Sequence, residues 1–346
     1  MVRFSLNIVM ILALLTAVSA CHKDDPAVAF AYQNFIPSHF PIPDIDIDSF
    51  PTEQKILLGR KLFYDPIMSM DSTISCASCH DPSLAFSDHV PFSKGVGGTL
   101  GTRNAPSLSN VVYQKRLLRE GGIPTLEMQI LVPIQEHNEF NSNIVDISKK
   151  LNSRGDYVAL SMAAFHSTPN PFVITRSIAA FERILISGES KYDEFINKKS
   201  DFTSEEKLGF ELFMSDKTHC SSCHGGFLFT NQTFENNGLY EVYKDQGRMR
   251  LTGAIEDEAK FKVPSLRNIE LTGPYMHDGR FKTLEEVINH YNEHVKPSPT
   301  VEFILQYNLK PEGLKLNEQD KSDLLAFLKT LTDQSYINNT NYSKPN

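Results

Sequence analysis

Two short runs in this chain, Cys76-Ala77-Ser78-Cys79-His80 and Cys220-Ser221-Ser222-Cys223-His224, each bring together the three side chains that can hold an iron porphyrin covalently. In Cys-x-x-Cys-His the two thiols can add to the two vinyl groups of a haem, and the adjacent imidazole can bind the iron. Two such motifs call for two c-type haems. Four cysteines in two pairs could instead hold one zinc ion. Zinc, however, has no need of a histidine after each pair. With 11 His in 346 residues, chance placement after both has odds of about one in a thousand. A disulfide framework is a second alternative for an exported chain, but redox or metal chemistry is the commoner use of Cys-x-x-Cys.

The fifth cysteine, Cys21, follows a short basic start at Arg3, an apolar run from Ile8 to Val18, and Ser19-Ala20. That is the layout of a secretory signal peptide, and Val18-Ser19-Ala20-Cys21 is similar to a bacterial lipobox. Residues 1–20 are therefore expected to be a lipoprotein signal peptide, with Cys21 lipidated. The run is too short, and ends in residues too small, for a transmembrane helix. Residues 21–50, rich in Pro and Asp, read as a tether. The expected location is periplasmic or on the cell surface, with membrane contact through the lipid only. A hydrophobic content of 40% suffices to build cores, and a formal net charge of −8 argues against nucleic acid and for a basic redox partner.

The motif is part of a longer internal repeat. Leu58-Gly59-Arg60-Lys61-Leu62-Phe63 matches Leu208-Gly209-Phe210-Glu211-Leu212-Phe213, each just ahead of its cysteine pair. Behind the pairs, Ala105-Pro106-Ser107-Leu108-Ser109-Asn110 answers Val263-Pro264-Ser265-Leu266-Arg267-Asn268, and Thr125-Leu126-Glu127 answers Thr283-Leu284-Glu285. The step from Pro to Thr is 19 residues in both halves (125−106 and 283−264). Two homologous modules are expected, at 51–172 and 173–334, with 335–346 as a tail. Thr203-x-x-Glu206 is a capping-box pattern, and residues 173–186 and 317–332 have helical apolar spacing. Strand signals are weak, so the expected class is mainly α: two cytochrome c-like haem domains with long haem-wrapping loops.

From about residue 50 to 334 the chain resembles the bacterial diheme cytochrome c peroxidase family. It is most similar to the branch containing the diheme enzyme that matures tryptophan tryptophylquinone. The residues that carry this are Asp65-Pro66, Ser75–His80, Arg103-Asn104-Ala105-Pro106-Ser107-Leu108, Leu126-Glu127-Met128-Gln129, Lys262–Asn268 and Gly273–Arg280. The resemblance implies peroxide reduction at the N-terminal haem and electron relay at the C-terminal haem. It implies His80 and His224 as axial ligands, Glu139 as acid/base and Gln129 as the group orienting the peroxide. Glu136 and His137 are rival bases. Where other members carry a blocking His, this chain has Val96, with His89 seven residues earlier, so an open or water-bound first iron is expected.

For the second iron, Tyr291 is the expected sixth ligand, with His294 and Met276 as competitors and His290 read as solvated. The resemblance also implies calcium between the domains, on the Asn104 side chain and the carbonyls of Thr272 and Pro274. His277 would hydrogen-bond near a haem edge. Arg119 stands where relatives place a Trp between the haems, and the chain has 0 Trp. The expected activity is reduction of hydrogen peroxide with electrons from a small cytochrome c or cupredoxin, by an enzyme that could be a homodimer. The alternatives are a diheme oxidase acting on a protein or organic substrate, and a diheme electron carrier.

Overall fold

A computed structural model describes residues 32–309 and 313–345. Each half is organised by a pair of crossing helices. In the first, Glu53–Tyr64 starts at Thr52, whose hydroxyl accepts from the Lys55 N–H at 3.3 Å. It packs across Pro171–Arg183, which is opened by Pro171 and capped by the Asn170 side chain. In the second, Ser204–Met214 packs across Glu318–Lys329. Its Thr203 cap is the expected box: the Thr203 hydroxyl accepts from the Glu206 N–H, and the Glu206 carboxylate accepts from the Thr203 N–H at 2.7 Å.

The repeated Leu-Gly-x-x-Leu-Phe is explained at these crossings. A Cβ on Gly59 would lie 1.8 Å from the Ser177 carbonyl oxygen, and one on Gly209 would lie 1.8 Å from that of Asp323. Only a residue with no side chain lets the two backbones touch. One turn on, Phe63 meets Phe181 (centroids 5.2 Å apart, rings tilted 59°) and Phe213 meets Phe327 (5.1 Å, 56°). The two halves thus repeat in packing as well as in sequence.

Each pair seeds its own core. The first gathers Leu58, Leu62, Phe63, Phe86, Ile178, Phe181 and Leu185, while the second is built on Phe213, Phe229, Leu324, Phe327 and Leu331. Because the last helix of a module closes against its first, Pro171–Arg183 belongs to the first core. The cores part after Leu185, not at the 172/173 division drawn from sequence. The flanks are also structural. Tyr32 from the Pro- and Asp-rich arm, and Tyr336 and Tyr342 from the C-terminal tail, are buried in the first core. Phe40 packs with Ile186 and Leu228. Residues 1–31, including Cys21, lie outside the described residues. Among those described, no helix is long and apolar enough to cross a membrane. Among the described residues, strand is confined to Phe234–Glu235 and Phe261–Lys262, paired antiparallel with Phe234 opposite Lys262.

The modules are sewn together through repeated positions. Asn110 and Asn268 are both fully buried and left-handed (φ 60° and 59°). Asn110 exchanges side-chain hydrogen bonds with the Ser187 backbone at 2.9 and 3.0 Å. Asn268 donates to the Ser187 hydroxyl, which in turn donates to Asp333. Beside this seam the Arg267 guanidinium grips Asp193 at 2.8 and 2.9 Å, with the Phe40 ring 4.7 Å below it.

Substituting alanine at Gly59 or Gly209 should lower the stability of the haem-loaded protein by about 3 kcal/mol, because overpacking forces the helices apart. Gly155→Ala, at a position with open space around its Cβ, should leave stability nearly unchanged. Guanidinium unfolding midpoints of the three variants test this.

Candidate functional site

Both histidines that follow the cysteine pairs are held the same way. His80 Nδ1 lies 2.9 Å from the Phe86 carbonyl oxygen, and His224 Nδ1 lies 3.1 Å from that of Phe229 and 3.2 Å from that of Pro264. An Nδ1–H donated to a carbonyl settles the tautomer and leaves the Nε2 lone pair for a metal. Burial lowers both imidazole pKa values, favouring the neutral form that ligates. Phe86 and Phe229 share a left-handed backbone (φ 59° and 53°) that turns their carbonyls back to the ring. The repeated Pro-Ser-Leu holds that turn. Ser107 donates to the Ala85 carbonyl and Ser265 to the Leu228 carbonyl, each at 2.6 Å.

Cys76, Cys79, Cys220 and Cys223 are unpaired thiols. All four line one continuous cavity of about 750 Å³, together with His80 and His224. Among the described residues no His, Cys, Asp and Glu side chains gather as a site for a metal ion. The fold therefore sets the two cysteine pairs in separate arms of a large, mostly apolar cavity rather than around one zinc. The residues present fit two haems, each with two thiols and one imidazole.

In the first arm, Gln129 and Glu139 both line the cavity. Gln129 ends the short helix Leu126–Gln129, capped by the Thr125 hydroxyl, and Leu131–Gln135 follows it. Burial, and then the neighbouring Glu136 carboxylate, raise the Glu139 pKa above the ordinary carboxylate range. Of its rivals, Glu136 reaches the cavity but is exposed, and His137 is exposed and absent from the lining. Val96 is buried, its N–H bonded to the Glu139 carbonyl at 3.0 Å. The adjacent Gly95 lies so close to Asn138 that a Cβ would be 2.0 Å from the Asn138 oxygen. His89 is largely exposed beside Asp88 and does not line the cavity.

In the second arm Tyr291 lines the cavity, and burial pushes its phenol up to about 12, offset in part by a hydrogen bond with the Asn237 side chain. The helix Leu284–Asn289 does not continue regularly, because His290–His294 forms a π turn. Such turns re-aim side chains and are common at functional sites. His290, the first residue of that turn, faces inward, against its expected solvated position. It is 2% exposed, 3.0 Å from the Asn237 carbonyl, and held neutral by burial at a pKa of about 4. His294 is exposed and outside the cavity lining. Met276 lines the cavity, its sulfur accepting from Asn237 Nδ2 at 3.1 Å.

The repeat reveals one relation that sequence reading missed. Tyr291 stands eight residues beyond the capping Thr283 (291−283), and Pro133 stands eight beyond Thr125 (133−125). Both line the cavity. Where the second module offers a phenol, the first offers a ring with no donor atom. The matched Thr-Leu-Glu was the signal that could have found it.

Between the arms, His277 lines the cavity with its ring stacked on Phe261 at 4.1 Å, and burial holds it neutral at a pKa of about 4. The oxygens of Asn104 are engaged by Arg119. The guanidinium donates to the Asn104 carbonyl at 2.8 and 3.0 Å and to its side-chain oxygen at 2.7 Å. Burial lowers the Arg119 pKa to about 10, which still leaves it cationic at neutral pH. Burial, and then the same guanidinium, lower the Lys262 pKa to about 8. A calcium ion on Asn104 would meet these cations, with only the carbonyls of Thr272 and Pro274 to add. The donor set expected for calcium therefore does not fit: a resident positive charge already occupies it.

A sequence profile described as di-haem cytochrome c peroxidase matches residues 53–201. The chain is 33% identical to the methylamine utilization protein MauG of Methylorubrum extorquens over 81% of its own length and 78% of that protein's. It is 33% identical to the cytochrome c peroxidase Ccp of Escherichia coli over 84% of its length and 60% of the relative's. Among solved structures it is similar to a MauG-like protein associated with microbial copper homeostasis, with a TM-score of 0.84, 34% identity, and coverage of 90% of this chain and 98% of that one. Duplicated modules, twin cysteine pairs with oriented imidazoles, and these likenesses agree: the chain belongs to the di-haem cytochrome c peroxidase family.

Proposed function

We propose that this protein reduces hydrogen peroxide to water in its N-terminal arm, with electrons relayed through the C-terminal arm from a small cytochrome c or cupredoxin. The observation that carries this is the asymmetry of the repeat. Tyr291 could close one iron, while Pro133 in the matching place has no donor atom to offer the other, and Gln129 and Glu139 line the same cavity. A diheme electron carrier would have both irons closed. The oxidase alternative finds less support, since long-range oxidation of a protein substrate leans on tryptophan and the chain has 0 Trp.

The haem, when bound through Cys76, Cys79 and His80, supplies the iron at which the O–O bond is activated. Glu139 acts as base toward the proton on the near peroxide oxygen and returns it to the far oxygen, so that water can leave. Gln129 holds the peroxide by hydrogen bonding. Burial, and then Glu136, raise the Glu139 pKa, which makes its acid form easier to keep and suits a group that must both take and give a proton. In the second arm an anionic Tyr291 ligand would favour the ferric state and lower that haem's potential. The same reading takes the enzyme as an exported lipoprotein, anchored through Cys21 in the periplasm or at the cell surface and working as a monomer or homodimer.

Purified holoprotein should turn over reduced cytochrome c with peroxide, and its ferric spectrum should show a high-spin component that peroxide removes. Two low-spin haems indifferent to peroxide would defeat the proposal. Glu139→Gln should cut kcat by roughly 10²–10⁴-fold, as expected for loss of one general acid/base. In the wild type, kcat/KM should fall as pH drops through the raised Glu139 pKa, because only the carboxylate accepts the proton. Tyr291→Met should raise the C-terminal haem potential and introduce the near-infrared band of methionine ligation. If neither change appears, Tyr291 is not the ligand.

A further inference from the structure

The duplication supplies its own control for a carboxyl group that the chemistry above does not use. The crossing helices set Ser177 against Gly59 and Asp323 against Gly209, and they set Phe181 on Phe63 and Phe327 on Phe213. Continuing that register, the Leu185 carbonyl accepts from the Asn110 N–H as the Leu331 carbonyl accepts from the Asn268 N–H. Glu182 therefore occupies in the first module the place that Leu328 occupies in the second. Ile178 and Leu324 are matched one turn earlier, and all four side chains line the cavity.

Leu328 is what a cytochrome c-like helix needs there, an apolar face toward the porphyrin. Glu182 is anomalous in that place. It is 4% exposed, and its Oε2 has no hydrogen-bond partner. A buried carboxylate with no partner is expensive, so the group stays protonated unless a nearby positive charge compensates it. Among the protein's own groups only Arg183 pulls toward the ionised form, and burial outweighs it; the further positive charge that would hold the carboxylate ionised is that of a ferric haem, which reduction removes. Arg183, next along the helix, points its Nη2 to Glu127 at 2.8 Å. The Glu127 carboxylate opposes ionisation of Glu182, and the Cys76 sulfur beside it becomes a neutral thioether once haem is attached. Burial pushes the Glu182 pKa up to about 8, with Arg183 pulling it down and Glu127 pushing it further up.

We infer that Glu182 is a redox-linked proton site of the N-terminal haem, one that the C-terminal haem lacks because Leu328 stands in its place. When one electron from an external reductant enters the N-terminal iron, one proton from water binds Glu182 Oε2. When the electron leaves, the proton is released. Net charge in the apolar cavity is thus unchanged by the reduction, which makes the electron easier to accept in a low-dielectric site. This inference rests on the first haem site, not on peroxide turnover.

The experiment is a spectroelectrochemical titration of the full holoprotein from acid to alkaline pH, following the two haems separately, with infrared difference spectra on reduction. In the wild type the N-terminal haem potential should fall as pH rises, by up to about 59 mV per unit, the slope of one proton per electron. The C-terminal haem should show no matching slope. Reduction should also add the band of a protonated carboxylic acid. Glu182→Leu, which installs the side chain of the twin module, and Glu182→Gln, which keeps the volume, should both flatten the slope and remove the band. Glu139→Gln should keep both. A wild-type potential independent of pH, a slope that survives either Glu182 substitution, or one lost with Glu139→Gln overturns the assignment. Peroxide turnover does not enter these titrations, so failure of the peroxidase reading is told apart from failure of this one.

Discussion

Backbone contact between the first and last helices of each module, made at Gly59 and Gly209, is the constraint on which the rest hangs. With the Gly59 and Ser177 backbones touching, the aromatic rings one turn further interlock. The connecting segments must then loop out and return, wrapping the cavity as they go. That geometry holds a cysteine pair shortly after the first helix and a Pro-Ser-Leu turn opposite it. The serine of that turn orients the carbonyl to which the histidine is anchored. A module of this kind is a bracket for a flat cofactor, closed at one end by the crossing.

Duplicating the bracket gives two similar sites, and the chemistry lies in where the copies diverge. Pro133 against Tyr291 sets a ring with no donor atom against a phenol, the difference on which the proposed function rests. Gln129 and Glu139 have no equivalents at work in the second arm, whose own feature is the π turn at His290–His294. Glu182 against Leu328 separates a titratable wall from an apolar one. A shared scaffold with a few substituted side chains therefore suffices to divide labour between a reactive centre and a relay.

Buried ionic and polar contacts brace the segments around the cavity. Arg103 pairs with Asp245 and Glu120, Arg267 with Asp193, and Arg119 with the oxygens of Asn104. A fully buried pair such as Arg267 with Asp193 adds little net stability over apolar packing, but leaving one partner unpaired is costly. Of these contacts, Arg103 with Asp245 joins the two modules, while the others brace segments within one module. Arg119 lines the cavity and holds both oxygens of Asn104, so its guanidinium puts a positive charge in the cavity wall.

Much of this was legible from residue order alone. Cys-x-x-Cys-His states its chemistry in five consecutive residues, the repeat was visible through its Leu-Gly-x-x-Leu-Phe and Thr-Leu-Glu landmarks, and Thr203 and Glu206 announced a helix start, because all of these depend on neighbours close in sequence. What failed did so for the opposite reason. The module boundary falls after Leu185 because Pro171–Arg183 finds its partner more than a hundred residues earlier, a contact no local pattern records. His290 turned inward because a segment 53 residues earlier covers it, with the Asn237 carbonyl on its Nε2. The calcium expected at Asn104 gave way to Arg119, fifteen residues distant in sequence (119−104) yet bonded to both of its oxygens. Covalent attachment and helix propensity are written in short stretches of chain. Whether a side chain meets solvent, a cofactor or another charge is set by distant segments, and only the folded arrangement decides it.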